Sequence, residues 1–324
     1  MKKNNIFYTG RYLFLSLIVM LVISGCEKEV NLKNQDVKDS IVVEGHIENG
    51  IPPYVLLTKN KSYYGNVNIN DLESYFVHDA IITITTDDDT INLVEYNSAI
   101  IQSFPDSLAI AIAAQFGINI TSALDFPAIS IYTVPLDELG FSGVFGKRYD
   151  LKIEVDGKTI TSTTTIPAPT SFDSLWIEDH PNLSYADSFY IFRGRLPVVN
   201  NAYFRMFTKA DDEAFRTDDV YSEEFFSGGK INLNIRKGNA VGASFDPDTD
   251  FNTYGYWKKS QDSVCTVKIS TLDQAHYDFW RTVEQNRQSQ GNPFSSLVYV
   301  KSNVNGALGI WGGYGSTTVS FNRF

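Results

Sequence analysis

The residue whose chemistry the sequence defines best is Cys26, which directly follows the small residues Ser24 and Gly25. An apolar stretch of 12 residues, 12–23, precedes them. A spanning helix needs about 20 apolar residues, so this stretch indicates a signal peptide rather than a membrane span. The basic residues before it are Lys2, Lys3 and Arg11. We expect residues 1–25 to be removed as a lipoprotein signal peptide. The Cys26 thiol would then carry diacylglycerol, and its new amino group an acyl chain such as palmitate. A soluble secreted protein and a single-span anchor are the alternatives.

One acidic loop has the spacing of a calcium site. Asp246, Asp248, Asp250 and Asn252 alternate as the first oxygen ligands of an EF-hand do. The loop lacks the glycine and the bidentate glutamate of that motif, since Phe251 and Trp257 occupy those positions. A solvated turn is therefore favoured over calcium, and we expect no metal and no cofactor other than the lipid on Cys26.

The glycine-rich segment 305–315 contains two aromatic residues, Trp311 and Tyr314. Glycines beside large aromatics suit a tightly curved sheet, where backbones approach each other closely. Structural packing is the favoured interpretation. Stacking of a flat ligand such as a sugar on Trp311 and Tyr314 is the alternative.

The sequence contains no catalytic motif that we recognise. Its four histidines show no zinc-ligand spacing, and no GxSxG or phosphate-binding loop occurs. The histidines are His46, His78, His180 and His276. Paired carboxylates for glycoside hydrolysis stay open, because any two acids can meet in the fold. We therefore nominate no catalytic residue and expect a non-enzymatic protein.

The elements that must position these residues are mostly strands. Asn49-Gly50 and Asp156-Gly157 lie between alternating runs and predict tight hairpins, and the run Asp87 to Asp89 lies between two more strand-like segments. Cys265 alternates with apolar residues, which predicts a thiol buried in a sheet core. The pattern is typical of an antiparallel sandwich.

Two helices interrupt the strands. Residues 105–116 form an apolar insert that either plugs one end of the sandwich or offers an apolar surface to a membrane or partner. The second helix, near residues 271–286, is predicted to begin at Thr271 with a capping box to Gln274. Leu272, Ala275, Phe279, Trp280 and Val283 would form its apolar face.

These signals predict an all-β protein whose chain divides into four segments. Residues 1–25 are the signal peptide, and residues 26–38 are the lipidated cysteine and its tether. Residues 39–167 form an immunoglobulin- or transthyretin-like β-sandwich with the insert near 105–116. Residues 168–324 form a second β domain, a sandwich or partial barrel with one packed helix near 271–286. Pro167 and Pro169 mark the boundary.

The charge balance excludes some partners. The chain has 27 basic and 38 acidic residues, and loss of the signal peptide lowers the basic count to 24. Nucleic acids and anionic headgroups require clustered basic residues, so we expect no nucleic acid partner.

The order of several short motifs resembles a family of Bacteroidota lipoproteins, domain-of-unknown-function family 4249. The matching stretches are residues 26–29, 41–45, 49–53, 149–151, 156–158, 222–226, 277–284 and 306–312. The insert at 105–116 departs from the commoner pattern of the family.

The resemblance implies a role at the outer membrane, because the genes of such proteins usually lie beside those of TonB-dependent receptors. We therefore expect a lipid-anchored binding or accessory subunit for TonB-dependent uptake, on either the periplasmic or the cell-surface face. The alternative is a cell-surface glycan-binding protein or hydrolase with its site between the two domains. The family implies no catalytic or ligand residue.

Overall fold

A computed structural model describes residues 40–59, 69–197, 202–225, 231–238, 255–289 and 298–322. These residues belong to one compact unit. It is mostly β, with one large mixed sheet, one small sheet and few helices.

The large sheet has 11 strands in the spatial order β11-β10-β14-β15-β1-β2-β5-β4-β3-β6-β7. Their bounds are β1 Ile41–Glu48, β2 Ile51–Lys59, β3 Ile81–Thr85, β4 Thr90–Asn97, β5 Ser130–Thr133, β6 Arg148–Val155, β7 Lys158–Thr165, β10 Tyr203–Ala210, β11 Arg216–Ser222, β14 Val264–Leu272 and β15 Leu308–Asn322. The small sheet has four strands, with β9 between β12 and β13 and also paired with β8. Their bounds are β8 Ser174–Asp179, β9 Phe189–Leu196, β12 Ile231–Ile235 and β13 Trp257–Lys258.

A parallel pairing of β1 with β15 joins the beginning of the described chain to its end. Glu44 lies beside Ile310, and Glu48 beside Tyr314. The other strand pairs among the described residues are antiparallel, the arrangement that hairpin connections give. The parallel pair therefore brings strands from distant parts of the sequence into one sheet.

The predicted hairpins are confirmed. Asn49-Gly50 connects β1 to β2, with Gly50 at φ 76°. Asp156-Gly157 connects β6 to β7, and both residues have positive φ, 51° and 71°. Residues 87–89 lie between β3 and β4. Asn, Asp and Gly tolerate this left-handed conformation, so the turn chemistry fixed these connections locally.

Two large cores lie along the same face of the large sheet. The first contains the inward residues of β1–β7, such as Val43, Leu57, Ile84 and Leu151, together with Trp311 from β15. The second packs β10 and β14 against the small sheet. Its members are Tyr190, Phe192, Leu196, Ala202, Phe204, Met206, Ala210, Ile231, Leu233, Ile235, Trp257, Cys265, Val267 and Ile269. The faces of β10 and β14 opposite this second core are left for other contacts.

Four α-helices occur in the described residues. They are α1 Ser98–Gln102, α2 Asp106–Gln115, α3 Leu183–Ala186 and α4 Gln274–Ser289, with 3-10 turns at Ile69–Tyr75, Ala123–Asp125 and Glu223–Phe225. The insert predicted at 105–116 thus contains α2. Ala109 and Ala113 are buried in a third core beside Ile101, Phe126 and Ile131. One edge of α2 is therefore packed, while Ile110 is exposed.

The predicted start of the second helix is wrong. Strand β14 continues to Leu272, and Asp273 caps α4, since its carboxylate accepts a hydrogen bond from His276 N at 2.8 Å. The apolar face is rotated accordingly: Ala275 is exposed, and His276 and Tyr277 are buried beside Phe279. Strand pairing extended β14 through the residues that were assigned to a helical cap.

The coarse prediction of a mostly β fold is confirmed. The immunoglobulin- or transthyretin-like type of the first sandwich stays a prediction, as does the division at residue 167. The large sheet takes strands from both sides of that position.

Candidate functional site

A cavity of about 960 Å³ lies on the face of the large sheet opposite the second core. Strands β1, β2, β10, β14 and β15 form its floor, and α2 and α4 contribute to its walls. This volume is at the upper end of the range of small-molecule sites. The cavity is therefore large enough to enclose an organic ligand.

Strand alternation places polar side chains on the cavity floor. In β1, Val43 and Ile47 point into the first core, so Glu44, His46 and Glu48 point the other way, into the cavity. In β10 the same period directs Arg205, Phe207 and Lys209 into it. The strand register places the polar side chains of β1 and β10 on one face of the sheet, since Phe207 pairs with Lys268 and Glu48 with Tyr314.

Arg205 is the most unusual residue of the site. Its side chain is only 6% exposed, and its Nη1 donates a hydrogen bond to the Tyr314 hydroxyl at 2.9 Å. The guanidinium lies over the Trp280 ring, 3.5 Å from the ring centroid. Within the described residues no carboxylate is in ion-pair distance of Arg205, and its Nε has no hydrogen-bond partner. Stacking on Trp280 offsets part of the cost of burying this charge.

His46 lies beside Arg205 at the centre of the floor. It is 5% exposed, and its Nε2 is 3.6 Å from the Glu44 carboxylate, while its Nδ1 has no hydrogen-bond partner within the described chain. Burial lowers the pKa of His46, and the opposing effect of Glu44 does not cancel this shift. His46 is thus mostly neutral at pH 7.

Glu44 is ionised at the same pH. Burial acts to raise its pKa, but the contact with His46 and the nearby positive charge of Arg205 outweigh it, so the pKa is lowered. The Glu44 side chain keeps 45% of its surface exposed, although neighbouring protein atoms surround its carboxylate. The exposed part faces the cavity.

His276 of α4 packs on the floor residues from the same side of the sheet as the cavity. It is fully buried, stacks on His46 with ring centroids 5.5 Å apart, and packs against Tyr314 at 4.5 Å. Neither ring nitrogen has a hydrogen-bond partner with good geometry among the described residues. Burial holds its pKa well below the ordinary value. A Cβ at Gly312 would overlap the ring, so glycine is required there.

The remaining charges make the cavity basic in an acidic protein. Its described lining has six basic residues and four acidic ones, whereas the whole chain has 27 and 38. Lys268 pairs with Glu48 at 2.9 Å, Lys237 with Asp262 at 2.7 Å and Arg287 with Glu284 at 2.8 Å. Within the described residues, Arg205, Lys209 and Arg236 have no carboxylate partner. Uncompensated positive charge therefore concentrates there.

The opposite part of the lining is apolar. Tyr54 and Leu56 from β2 lie near Phe116 and Ile118, with the Tyr54 and Phe116 rings 4.7 Å apart. Asn119 accepts a hydrogen bond from Ala214 N at 2.7 Å and ties this region to the β10–β11 connection. The insert containing α2 is thus part of the cavity wall.

The structure separates the two aromatics of the glycine-rich tail. Trp311 is fully buried in the first core, where its Nε1 donates to the Tyr149 carbonyl at 3.0 Å. Tyr314, three residues on in the same strand, points to the opposite face and lines the cavity. Only Tyr314 is placed to contact a ligand, and ligand stacking on it stays a prediction.

The other candidates lie elsewhere. Cys26 and the calcium candidate of Asp246, Asp248, Asp250 and Asn252 are outside the described residues. The prediction for Cys265 is confirmed: it is buried beside the Tyr190 hydroxyl, and burial raises the pKa of its thiol to about 11. A thiol with such a pKa is not reactive at pH 7.

The described residues contain neither a metal-binding cluster nor a membrane-spanning helix. No cluster of three His, Cys, Asp or Glu side chains is placed to hold a metal ion. No helix in the described part of the chain has the length and apolarity to cross a membrane.

Sequence reasoning missed the residues that form this site. The only signal in the sequence is that these residues alternate within strand-like runs. The two sets are Glu44, His46 and Glu48, and Arg205, Phe207 and Lys209. Alternating polar residues ordinarily indicate a solvent-facing strand surface. Only the fold shows that α2 and α4 cover this surface.

The chain belongs to the family described as "Domain of unknown function (DUF4249)", which matches residues 27–320. A search of curated proteins found no match.

Proposed function

We propose that this member of the DUF4249 family is a non-enzymatic binding protein that encloses a small organic molecule in the cavity. The observation that carries the proposal is a set of three buried polar atoms, on side chains that line the cavity, that have no protein partner in the described chain: Arg205 Nε, His46 Nδ1 and Trp280 Nε1. Buried polar groups in native proteins are almost always hydrogen-bonded. Three such atoms on residues of one cavity therefore favour a ligand that completes their hydrogen bonds.

The lipid anchor and the partner belong to the same proposal. A lipid on Cys26 would hold the cavity at the outer membrane, and a tether of 12 residues, 27–38, reaches about 40 Å when extended. A TonB-dependent receptor is the proposed partner, to which the bound molecule would be passed. Anchoring both proteins to one membrane raises their effective concentration, so weak contacts suffice.

Purification from intact membranes tests binding and partnership together. The full chain should carry a small molecule that mass spectrometry detects after denaturation, and crosslinking should recover an outer-membrane receptor. The variant Tyr314→Phe removes the hydroxyl group that holds Arg205 in place. It should retain less of the ligand but still crosslink to the receptor. Repeated recovery of an empty, solitary protein would contradict the proposal.

A hydrolase is the second candidate, because Glu44 and His46 meet in the cavity. An ionised carboxylate beside a neutral imidazole is a group that can accept a proton. Turnover of fluorogenic esters or glycosides by the wild type, abolished by Glu44→Gln but kept by Glu178→Gln on the distant small sheet, would favour this candidate over simple binding.

A further inference from the structure

The unpartnered atoms at the cavity floor reveal the chemical character of the missing partner. Arg205 Nε and Trp280 Nε1 carry hydrogens and have no acceptor capacity. Both belong to residues that line the cavity, and the two side chains stack on each other. A group that satisfies both must accept hydrogen bonds.

The guanidinium of Arg205 leaves one edge unused. Its Nη1 donates to Tyr314, while neither Nε nor Nη2 donates to a described residue. The edge formed by Nε and Nη2 presents two parallel N–H groups, the geometry that carboxylate and phosphate oxygens accept in bidentate pairs. Stacking on Trp280 and the Tyr314 hydrogen bond hold this edge in a fixed orientation before any ligand arrives.

The surrounding charges favour an anion as well. Lys209 follows Arg205 on the same face of β10 and has no carboxylate partner within the described residues. Glu48 is neutralised by Lys268, and the Glu44 carboxylate has His46 beside it. An anion at Arg205 therefore meets one uncompensated cation and one carboxylate, and Lys209 adds positive charge about 13 Å further along the strand.

An apolar body fits the rest of the cavity. Phe207 lies next to Arg205 on β10, and Tyr54, Leu56, Phe116 and Ile118 line the opposite wall. Aromatic and aliphatic side chains bury flat apolar groups favourably.

We propose that the cavity recognises a small organic anion whose carboxylate or phosphate binds Arg205 and Trp280, and whose planar apolar body packs on the aromatic wall. This inference rests on the proposed binding function and specifies the ligand class.

Isothermal titration calorimetry with three naphthalene probes tests the inference on the full chain in a nonionic detergent. 1-Naphthoate and 1-naphthyl phosphate carry an oxyanion, and 1-naphthamide is the neutral counterpart of the carboxylate. We expect at least one anion to bind about tenfold or more tightly than the amide, since hydrogen bonds to charged groups are the stronger ones. The preference between the two anions identifies carboxylate or phosphate as the better head group.

Variants separate Arg205 from general effects. Arg205→Gln should abolish the preference for anions and leave the affinity for 1-naphthamide within about twofold. Lys209→Gln, a partly exposed position that tolerates substitution, should weaken only the anions, by about threefold. Arg193→Gln, on the exposed face of the small sheet, should bind all three probes as the wild type does.

Each contrary result has one meaning. Equal affinity for anion and amide, or an anion preference that survives Arg205→Gln and Lys209→Gln, overturns the inference while the binding function stands. Failure of all three probes to bind overturns it as well. The binding function itself is judged separately, by the molecule retained from membranes.

Discussion

His46 and His276 form a buried pair whose protonation the fold resists. Burial lowers the pKa of each below its ordinary value, and most strongly that of His276. The unfolded chain therefore binds more protons than the folded one once the pH falls below about 6.5. Acidification must reduce stability through these residues, and the loss continues until the folded pKa is reached.

We expect the free energy of unfolding to fall as the pH drops below about 6.5, by at most about 1.4 kcal/mol per pH unit for each histidine, until its folded pKa is reached. Urea unfolding between pH 7.5 and pH 5 measures this slope. His276→Gln should reduce the slope, whatever it does to stability at pH 7.5, because one of the two buried imidazoles is gone.

His78 provides the control of opposite sign. Its hydrogen bond with Glu95, 2.5 Å long, raises its pKa, so the stability it contributes is present below its unfolded pKa and lost as the pH rises through the folded one. His78→Gln should therefore cost more stability at pH 5.5 than at pH 8.5. An unchanged slope in His276→Gln, or the same sign in both variants, would show that this pair is not buried as described.

At the scale of elements, local chemistry predicted well what local chemistry determines. The hairpins at Asn49-Gly50 and Asp156-Gly157 could be predicted, because the turn residues themselves favour a backbone with positive φ. The predicted start of α4 at Thr271 is wrong, because pairing with β10 and β15 extends β14 to Leu272. That competition involves residues far away in sequence, so no short window contains it.

Two alanines of α2 test whether one side of this helix packs in the third core while another side lines the cavity. Ala113 is fully buried against the third core, whereas Ala111 is exposed on the same helix and lines the cavity. Ala113→Leu should lower the free energy of unfolding by about 1–3 kcal/mol, since a close-packed core resists added volume. Ala111→Leu has equal helix chemistry and should change stability by less than about 0.5 kcal/mol. Thermal unfolding of both variants measures the difference, and equal destabilisation would refute this orientation of α2.

At the scale of the whole molecule, the site exists because of one long-range pairing. The parallel contact of β1 with β15 sets Glu48 beside Tyr314 and the His46 ring 5.1 Å from the Tyr314 ring. Strand β14 then connects β15 to Arg205 on β10. Residues from the beginning, middle and end of the described chain thus meet on one face. Each of these strands looks like an ordinary half-exposed strand in sequence. The sequence therefore indicated the strands but not the cavity, which depends on which strands become neighbours.

The proposed location of the molecule at the outer membrane depends on the predicted lipid at Cys26. Two or more acyl chains give stable membrane attachment, because each buried CH₂ contributes about 0.8 kcal/mol. We expect Cys26→Ser to move the protein from the membrane fraction to the soluble fraction and to abolish incorporation of labelled palmitate. Cys265→Ala is the matched control: this thiol is buried beside Tyr190, so its loss should leave both readouts unchanged. A Cys26→Ser protein that still sediments with membranes would refute the lipid anchor. It would also remove the reason to seek a membrane receptor as the partner, while leaving the cavity and its predicted anion untouched.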